Sequence, residues 1–190
     1  MMLTVYLDFK SPAAYLAMDP TLDLIARCGL KTDWKPFRTV ERDVPQLGKA
    51  ETVGESHRRV RAASQRALAV KYAKNQGIEL KFPERLGASD LALGALIAIS
   101  GDPLAFIRAA FEAYWQDHAD LDDPYVVERL IQTSGAQLTA DLSQCRDLLE
   151  TAQEQAEEAG IVGAPAYVIA EQIFVGREHL PWIEEIASAL

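Results

Sequence analysis

Cysteine is nearly missing from this chain. Cys28 and Cys145 are its two cysteines in 190 residues, far apart and in no CxxC or zinc-ligand spacing. That excludes a disulfide framework and a cysteine zinc cluster, and argues against dithiol redox chemistry by the protein's own thiols, a third reading that insulin reduction by the wild type would revive. Long apolar runs are missing too. No stretch approaches the roughly 18 residues that a membrane span needs. The most apolar segment, Leu91 to Ile99, is Ala-rich, contains Gly94 and stops at Ser100-Gly101, so it reads as a buried helix. The N-terminus has no basic n-region and no A-x-A site, and reads as a first strand rather than a signal peptide. Positive charge is scarce: Lys+Arg total 19 against 28 Asp+Glu, a net −9. That balance excludes a protein that grips phosphate backbones over its whole surface, and suits a soluble cytoplasmic one. His118 and His179 stand without a ligand pattern, so no metal site is expected.

What is present is an ordinary globular composition, 49% hydrophobic and 25% charged. Its length implies one domain, or one domain with a large insertion. Leu3 to Phe9 is β-branched and aromatic with alternation, a strand signal. Ser11-Pro12 then starts a helix, with a hydroxyl cap and a proline inside the first turn. That helix should end at Gly29, and Pro20 within it should kink or interrupt it. Lys31 to Phe37 reads as a second strand. The middle is helical: Glu55–Gln76 closed by Gly77, then helices started at Ser89-Asp90, Asp102-Pro103, Asp123-Pro124 and Asp141 or Ser143. Ala166–Ala170 and Ile173–Val175 form a hairpin around Glu171-Gln172, and Glu178–Leu190 a final amphipathic helix.

The order β-α-β, helices, β-β-α is that of an α/β thioredoxin-like fold with a large all-helical insertion. Residues 1–39 and 160–190 would form the thioredoxin-like domain, and 40–159 the inserted helical domain. Two segments sharpen this. Ser11-Pro12-Ala13-Ala14 stands where thioredoxin-like redox proteins carry CxxC, at a helix N-terminus whose dipole and free N–H groups stabilise a thiolate. Ser11 takes the first cysteine's place and Ala14 the second's. A serine forms no disulfide, but its hydroxyl can donate to a thiolate brought from elsewhere. Gly163-Ala164-Pro165-Ala166 stands where such folds have a cis-proline. There the preceding residue's backbone groups turn outward to pair with an extended thiol peptide.

At these residues the chain resembles the 2-hydroxychromene-2-carboxylate isomerases and kappa-class glutathione transferases of the DsbA-like thioredoxin superfamily. The matching stretches run from Tyr6-Leu-Asp-Phe-Lys-Ser-Pro-Ala-Ala-Tyr15 through Trp34-Lys-Pro-Phe37, Gly77–Pro83 and Phe111-Glu-Ala-Tyr-Trp115. They continue through Asp120–Pro124 to Gly160-Ile-Val-Gly-Ala-Pro165 and Val175–Trp182. The resemblance implies a glutathione site. Ser11 would hold or activate the glutathione sulfur, and Ala164, before Pro165, would pair with the cysteinyl part. Arg177 and Glu178 stand in the turn that binds the γ-glutamyl end, which in the family normally reads Gly-(Asn/Ser)-Asp-Arg. Lys49 lies in the 40–60 loop, where the family often places an asparagine, and is taken as a further contact. The implied reaction is glutathione-dependent cis–trans isomerisation, or a related transfer, on a small aromatic or unsaturated carbonyl compound. It would be catalysed by a homodimer in aromatic-compound catabolism.

The residues also support plainer roles. Ser11 is an adequate N-cap, and Asp8 reads as a supporting partner of the site or, the favoured reading, as a helix-capping acid. Tyr15 and Trp34 read as core, and Phe106, Phe111, Tyr114 and Trp115 as core or dimer surface. The basic run from His57 to Lys74 reads as a solvated helix face, or as an attractor for an anionic substrate. A non-catalytic thioredoxin-like protein that binds thiols or peptides is the rival reading.

Overall fold

The computed structural model describes residues 1–40, 52–83 and 87–189. It divides into two compact units, Met1–Thr39 with Lys81–Leu190, and Val40–Leu80. In the first unit, β1 (Met2–Leu7), α1 (Pro12–Cys28) and β2 (Lys31–Pro36) come first. There follow α3 (Asp90–Ala98), β3 (Ile99–Ser100), α4 (Leu104–Asp117), α5 (Pro124–Ser134), β4 (Gln137–Leu138) and α6 (Cys145–Glu158). The unit closes with β5 (Ala166–Ile169), β6 (Gln172–Val175) and α7 (Leu180–Ala189). The described part of the second unit is α2 (Val53–Gln76), started by a Thr52/Glu55 capping box and stopped at Gly77. Its basic residues lie on a helix that buries only Ala69 and Ala73.

The main sheet has the order β2-β1-β5-β6, with β1–β2 parallel and the other pairs antiparallel. This is the expected thioredoxin-like topology. Leu3, Val5 and Leu7 alternate toward one face with Trp34 opposite Val5, and Tyr167 lies on the same side. Tyr167 is fully buried, and its hydroxyl lies 2.9 Å from Thr21 Oγ1 of α1. Burial pushes that phenol up to about 12. We propose the division into 1–39 with 160–190 and 40–159 as the fold's history.

Three local expectations are corrected. The β5–β6 turn is Ala170-Glu171, both at positive φ (47° and 62°), rather than Glu171-Gln172. Two positive φ values give the twist a two-residue hairpin needs, even without glycine. Two short strands, β3 and β4, pair antiparallel at the end of α3, where the sequence pattern gave only helices and loops. Two residues are too few for an alternation to register. The apolar segment is the buried helix α3 as expected. A Cβ on Gly94 would overlap the Cys145 carbonyl, so glycine is what lets α3 and α6 approach.

The third correction concerns Pro20, where an interruption is one of the two outcomes expected. Helix α1 runs unbroken from Pro12 to Cys28. Pro20 has no N–H to give the Leu16 carbonyl, four residues back. Arg177 supplies a donor instead, with Nη1 2.7 Å from Leu16 O. A charged group from 161 residues away thus bonds to a carbonyl whose usual helical donor is missing. Removing it as Arg177→Ala is expected to cost about 1–3 kcal/mol in urea unfolding. Pro20→Ala restores the helical N–H, so the second substitution should cost clearly less when Arg177 is already gone. Simple additivity in that double-mutant cycle would contradict this role.

Candidate functional site

Ser11 sits at the N-cap of α1, reached directly from the end of β1. Its backbone is extended (φ −81°, ψ 113°), and its Oγ accepts from the Ala14 N–H at 3.2 Å. The same hydroxyl donates to the Ala164 carbonyl at 3.0 Å. Ala164 precedes a cis peptide bond to Pro165. The expected pair, helix start and cis-proline segment, is therefore in direct contact. Ser11 is 9% exposed, and no acidic residue stands in the first turn of α1 to offset the helix dipole.

This hydroxyl has one acceptor lone pair in use and one movable proton. If an anionic sulfur approaches, the proton can swing from Ala164 O to the sulfur while the Ala14 amide keeps the oxygen in place. The swap exchanges a neutral hydrogen bond for a charge-assisted one.

The loop carrying Ser11 is fixed from several sides. Trp115 Nε1 donates to Phe9 O at 2.9 Å, and Ser11 N to Asp8 O at 3.1 Å. Tyr15 stacks on Trp115, with ring centroids 6.1 Å apart and planes 6° from parallel. Phe9 meets Phe106 and Phe111 edge-on. Phe106, Phe111, Tyr114 and Trp115 are core residues, as is Trp34.

Asp8 is not the cap of α1. It is fully buried, and its carboxylate accepts from the Lys10 N–H (3.2 Å), Ser89 Oγ (3.1 Å), the Thr39 N–H (2.8 Å) and the Thr39 hydroxyl. It ties the loop before Ser11 to the segment after β2 and to the start of α3. Ser89 consequently spends its hydroxyl on Asp8 and makes no side-chain cap of α3. Burial pushes the Asp8 carboxyl above its ordinary value, against the lowering effect of the Thr39 and Lys10 contacts.

The other site residues expected from the sequence fall as follows. Arg177 is near the site's edge, but Nη1 is engaged by Leu16. Glu178 is exposed, in a short 3-10 turn (Arg177–His179), and its carboxylate folds back over Gly176. The Gly176 N–H donates to the Pro165 carbonyl at 2.9 Å, so the turn is tied directly to the cis-proline segment. Lys49 lies outside the described residues. Thr39, Ser89 and Trp115 were not singled out as parts of this site. Each is distant in sequence from Ser11, and no local motif marks it. A groove of about 330 Å³ opens along β2 and does not reach Ser11. The contacts at Ser11, rather than that groove, mark the candidate site. Among the described residues no group of three His, Cys, Asp or Glu is placed to hold a metal, and no helix is long and apolar enough to cross a membrane.

The DSBA-like thioredoxin domain family matches residues 2–187. A 2-hydroxychromene-2-carboxylate isomerase from Sphingobium xenophagum is 29% identical over 188 residues, 94% of each chain. A solved 2-hydroxychromene-2-carboxylate isomerase superposes with a TM-score of 0.70 at 19% identity, covering 100% of this chain and 95% of that one. The cytosolic disulfide reductase DsbM from Pseudomonas aeruginosa, solved with GSH, superposes at 0.60 with 12% identity, covering 100% and 96%. At these identities the two solved structures speak for the fold.

Asp8 generates a prediction. An unfolded aspartate titrates at about 3.9. With the folded value raised, the folded state holds the proton more tightly. The stability Asp8 contributes is then full at low pH and is lost as pH rises through the raised value. The stability of the wild type relative to Asp8→Asn, from urea unfolding, should fall as pH rises above about 4, the unfolded value. A relative stability that climbs with pH there would show a depressed carboxyl instead.

Proposed function

Because this chain belongs to the DSBA-like thioredoxin domain family, we propose that it is a glutathione-dependent isomerase, or kappa-type glutathione transferase. Its substrate is a small aromatic or unsaturated carbonyl compound. The observation that carries this reading is the Ser11 hydroxyl, held at the start of α1 against the Ala164 carbonyl. A thiol-redox pair is replaced there by one hydroxyl, so the reacting sulfur comes from the ligand. The isomerase similarity along 94% of the chain supports the reaction class, and the DsbM structure with GSH supports the ligand.

Glutathione would lie extended along Ala164-Pro165, its cysteinyl backbone pairing with Ala164 and its sulfur at Ser11. A free thiol has a pKa near about 8.5 and is mostly protonated at neutral pH. The Ser11 proton and the N-terminus of α1 favour the anion. The thiolate then adds to the conjugated carbon, a C–S bond forms, and the electron pair moves onto the carbonyl oxygen. The former double bond is now single and rotates. Electron flow reverses, the C–S bond breaks, and glutathione leaves unchanged. Glu178 would meet the γ-glutamyl ammonium. Arg177 and Lys49 complete the set of proposed contacts. A cytoplasmic homodimer in aromatic-compound catabolism completes the proposal.

One observation favours the rival, a non-catalytic thioredoxin-like protein that binds thiols or peptides. Arg177, which the glutathione reading would aim at the ligand, spends a donor on the backbone of α1.

Thermal melting with millimolar glutathione separates the two. A ligand at about 100 times its Kd stabilises the folded state by about 2.7 kcal/mol. The wild-type Tm should rise, and Ser11→Ala should keep only a small part of the rise. An unmoved Tm in wild type, or the same rise in both proteins, would count against a glutathione site at Ser11.

A further inference from the structure

Given the glutathione reading, on which this rests, we infer that Asp8 acts on the bound sulfur without touching it: its buried carboxylate is a like charge behind the site and opposes ionisation of the thiol. The turn from Asp8 to Ser11 carries both groups. Asp8 Oδ1 accepts from the Lys10 N–H at 3.2 Å, and the Asp8 carbonyl accepts from the Ser11 N–H at 3.1 Å. The residue whose amide holds the carboxylate and the residue whose hydroxyl meets the sulfur are thus neighbours in the chain. Asp8 is fully buried and Ser11 is 9% exposed. Charges this deep are poorly screened from each other.

The groups around Asp8 leave that charge in force. Lys10, on the same turn, pulls the carboxyl toward the anion, yet burial outweighs it and the carboxyl stays above its ordinary value. Thr39, after β2, and Ser89, before α3, meet the carboxylate with neutral groups. Their charged neighbours are occupied with each other: Arg38 lies 2.9 Å from Asp90 and 2.6 Å from Glu150 of α6. From α4, the group that reaches this turn is the neutral indole of Trp115, at Phe9 O. A carboxylate already costly to bury is the more sensitive to a second anion beside it.

The result for the chemistry is a balance. The proposed addition needs the sulfur as an anion. A thiolate's intrinsic nucleophilicity nevertheless falls as its pKa falls, and the best attacking thiol has a pKa near the ambient pH. The Ser11 proton and the dipole of α1 lower the thiol's pKa, and Asp8 raises it. Without Asp8 the thiolate forms more readily and attacks less well. The carboxyl and the thiol titrate as a coupled pair.

The test is an NMR pH titration of the intact protein with saturating glutathione, isotope-labelled at the cysteinyl side-chain carbon. The midpoint of the bound thiol should fall by about one pH unit in Asp8→Asn and in Asp8→Ser, two neutral replacements with different hydrogen bonding. In Ser11→Ala it should rise. Urea unfolding shows that each variant is folded. In the wild type itself, the Asp8 carboxyl carbon should show a second inflection at the thiol's midpoint. S-methylglutathione, which has no ionisable thiol, should give none. Bound glutathione with the same midpoint in wild type and both neutral variants overturns the inference alone, as do identical Asp8 curves with the two ligands. An absence of glutathione binding to the wild type overturns the glutathione reading and this inference with it.

Discussion

One hydrogen bond, from the Ser11 hydroxyl to the Ala164 carbonyl, joins segments 153 residues apart. The candidate site is what surrounds that bond. It sets the start of α1 against the cis-proline segment, and it leaves a single mobile proton between them. Everything near it serves to hold the two segments at that distance. Trp115 holds Phe9, the Gly176 amide holds Pro165, and Asp8 holds the loop's other side. A hydroxyl in this position cannot do redox chemistry alone. It can stabilise an anion that another molecule brings.

The supports are polar groups inside an apolar shell, which makes them exacting. The Asp8 carboxyl is buried completely and accepts from four donors across three segments. Satisfying every lone pair is what makes its burial tolerable. Arg177 does similar work at the other end of the site, where Pro20 leaves a helix carbonyl without its usual donor. Both residues couple the stability of the fold to the placement of Ser11. Their first role is to hold the backbone that carries the chemistry.

Much of this was legible in the sequence, for local reasons. Ser11-Pro12, Gly29, Gly77 and Asp123-Pro124 mark helix ends through their own side chains or missing ones, and the helices begin and end there. The order of strands and helices gave the topology, and Pro165 marked the cis bond. The supporting shell was not legible. Thr39, Ser89 and Trp115 act only through contacts between distant segments, and a serine at a helix start looks like a cap whether or not it caps. Pro20 misled for a related reason: a proline predicts a break unless a donor arrives from elsewhere, and Arg177 was read as a ligand contact. The two-residue strands β3 and β4 were too short to leave a pattern.

The central claim is that the sulfur of glutathione meets the Ser11 hydroxyl while its backbone pairs with Ala164. A crystal structure with glutathione bound tests it most directly. The account predicts the sulfur within hydrogen-bond reach of Ser11 Oγ, the cysteinyl backbone paired with Ala164, and the Ser11–Ala164 bond opened. Glutathione bound elsewhere, with the Ser11–Ala164 bond intact, would contradict it.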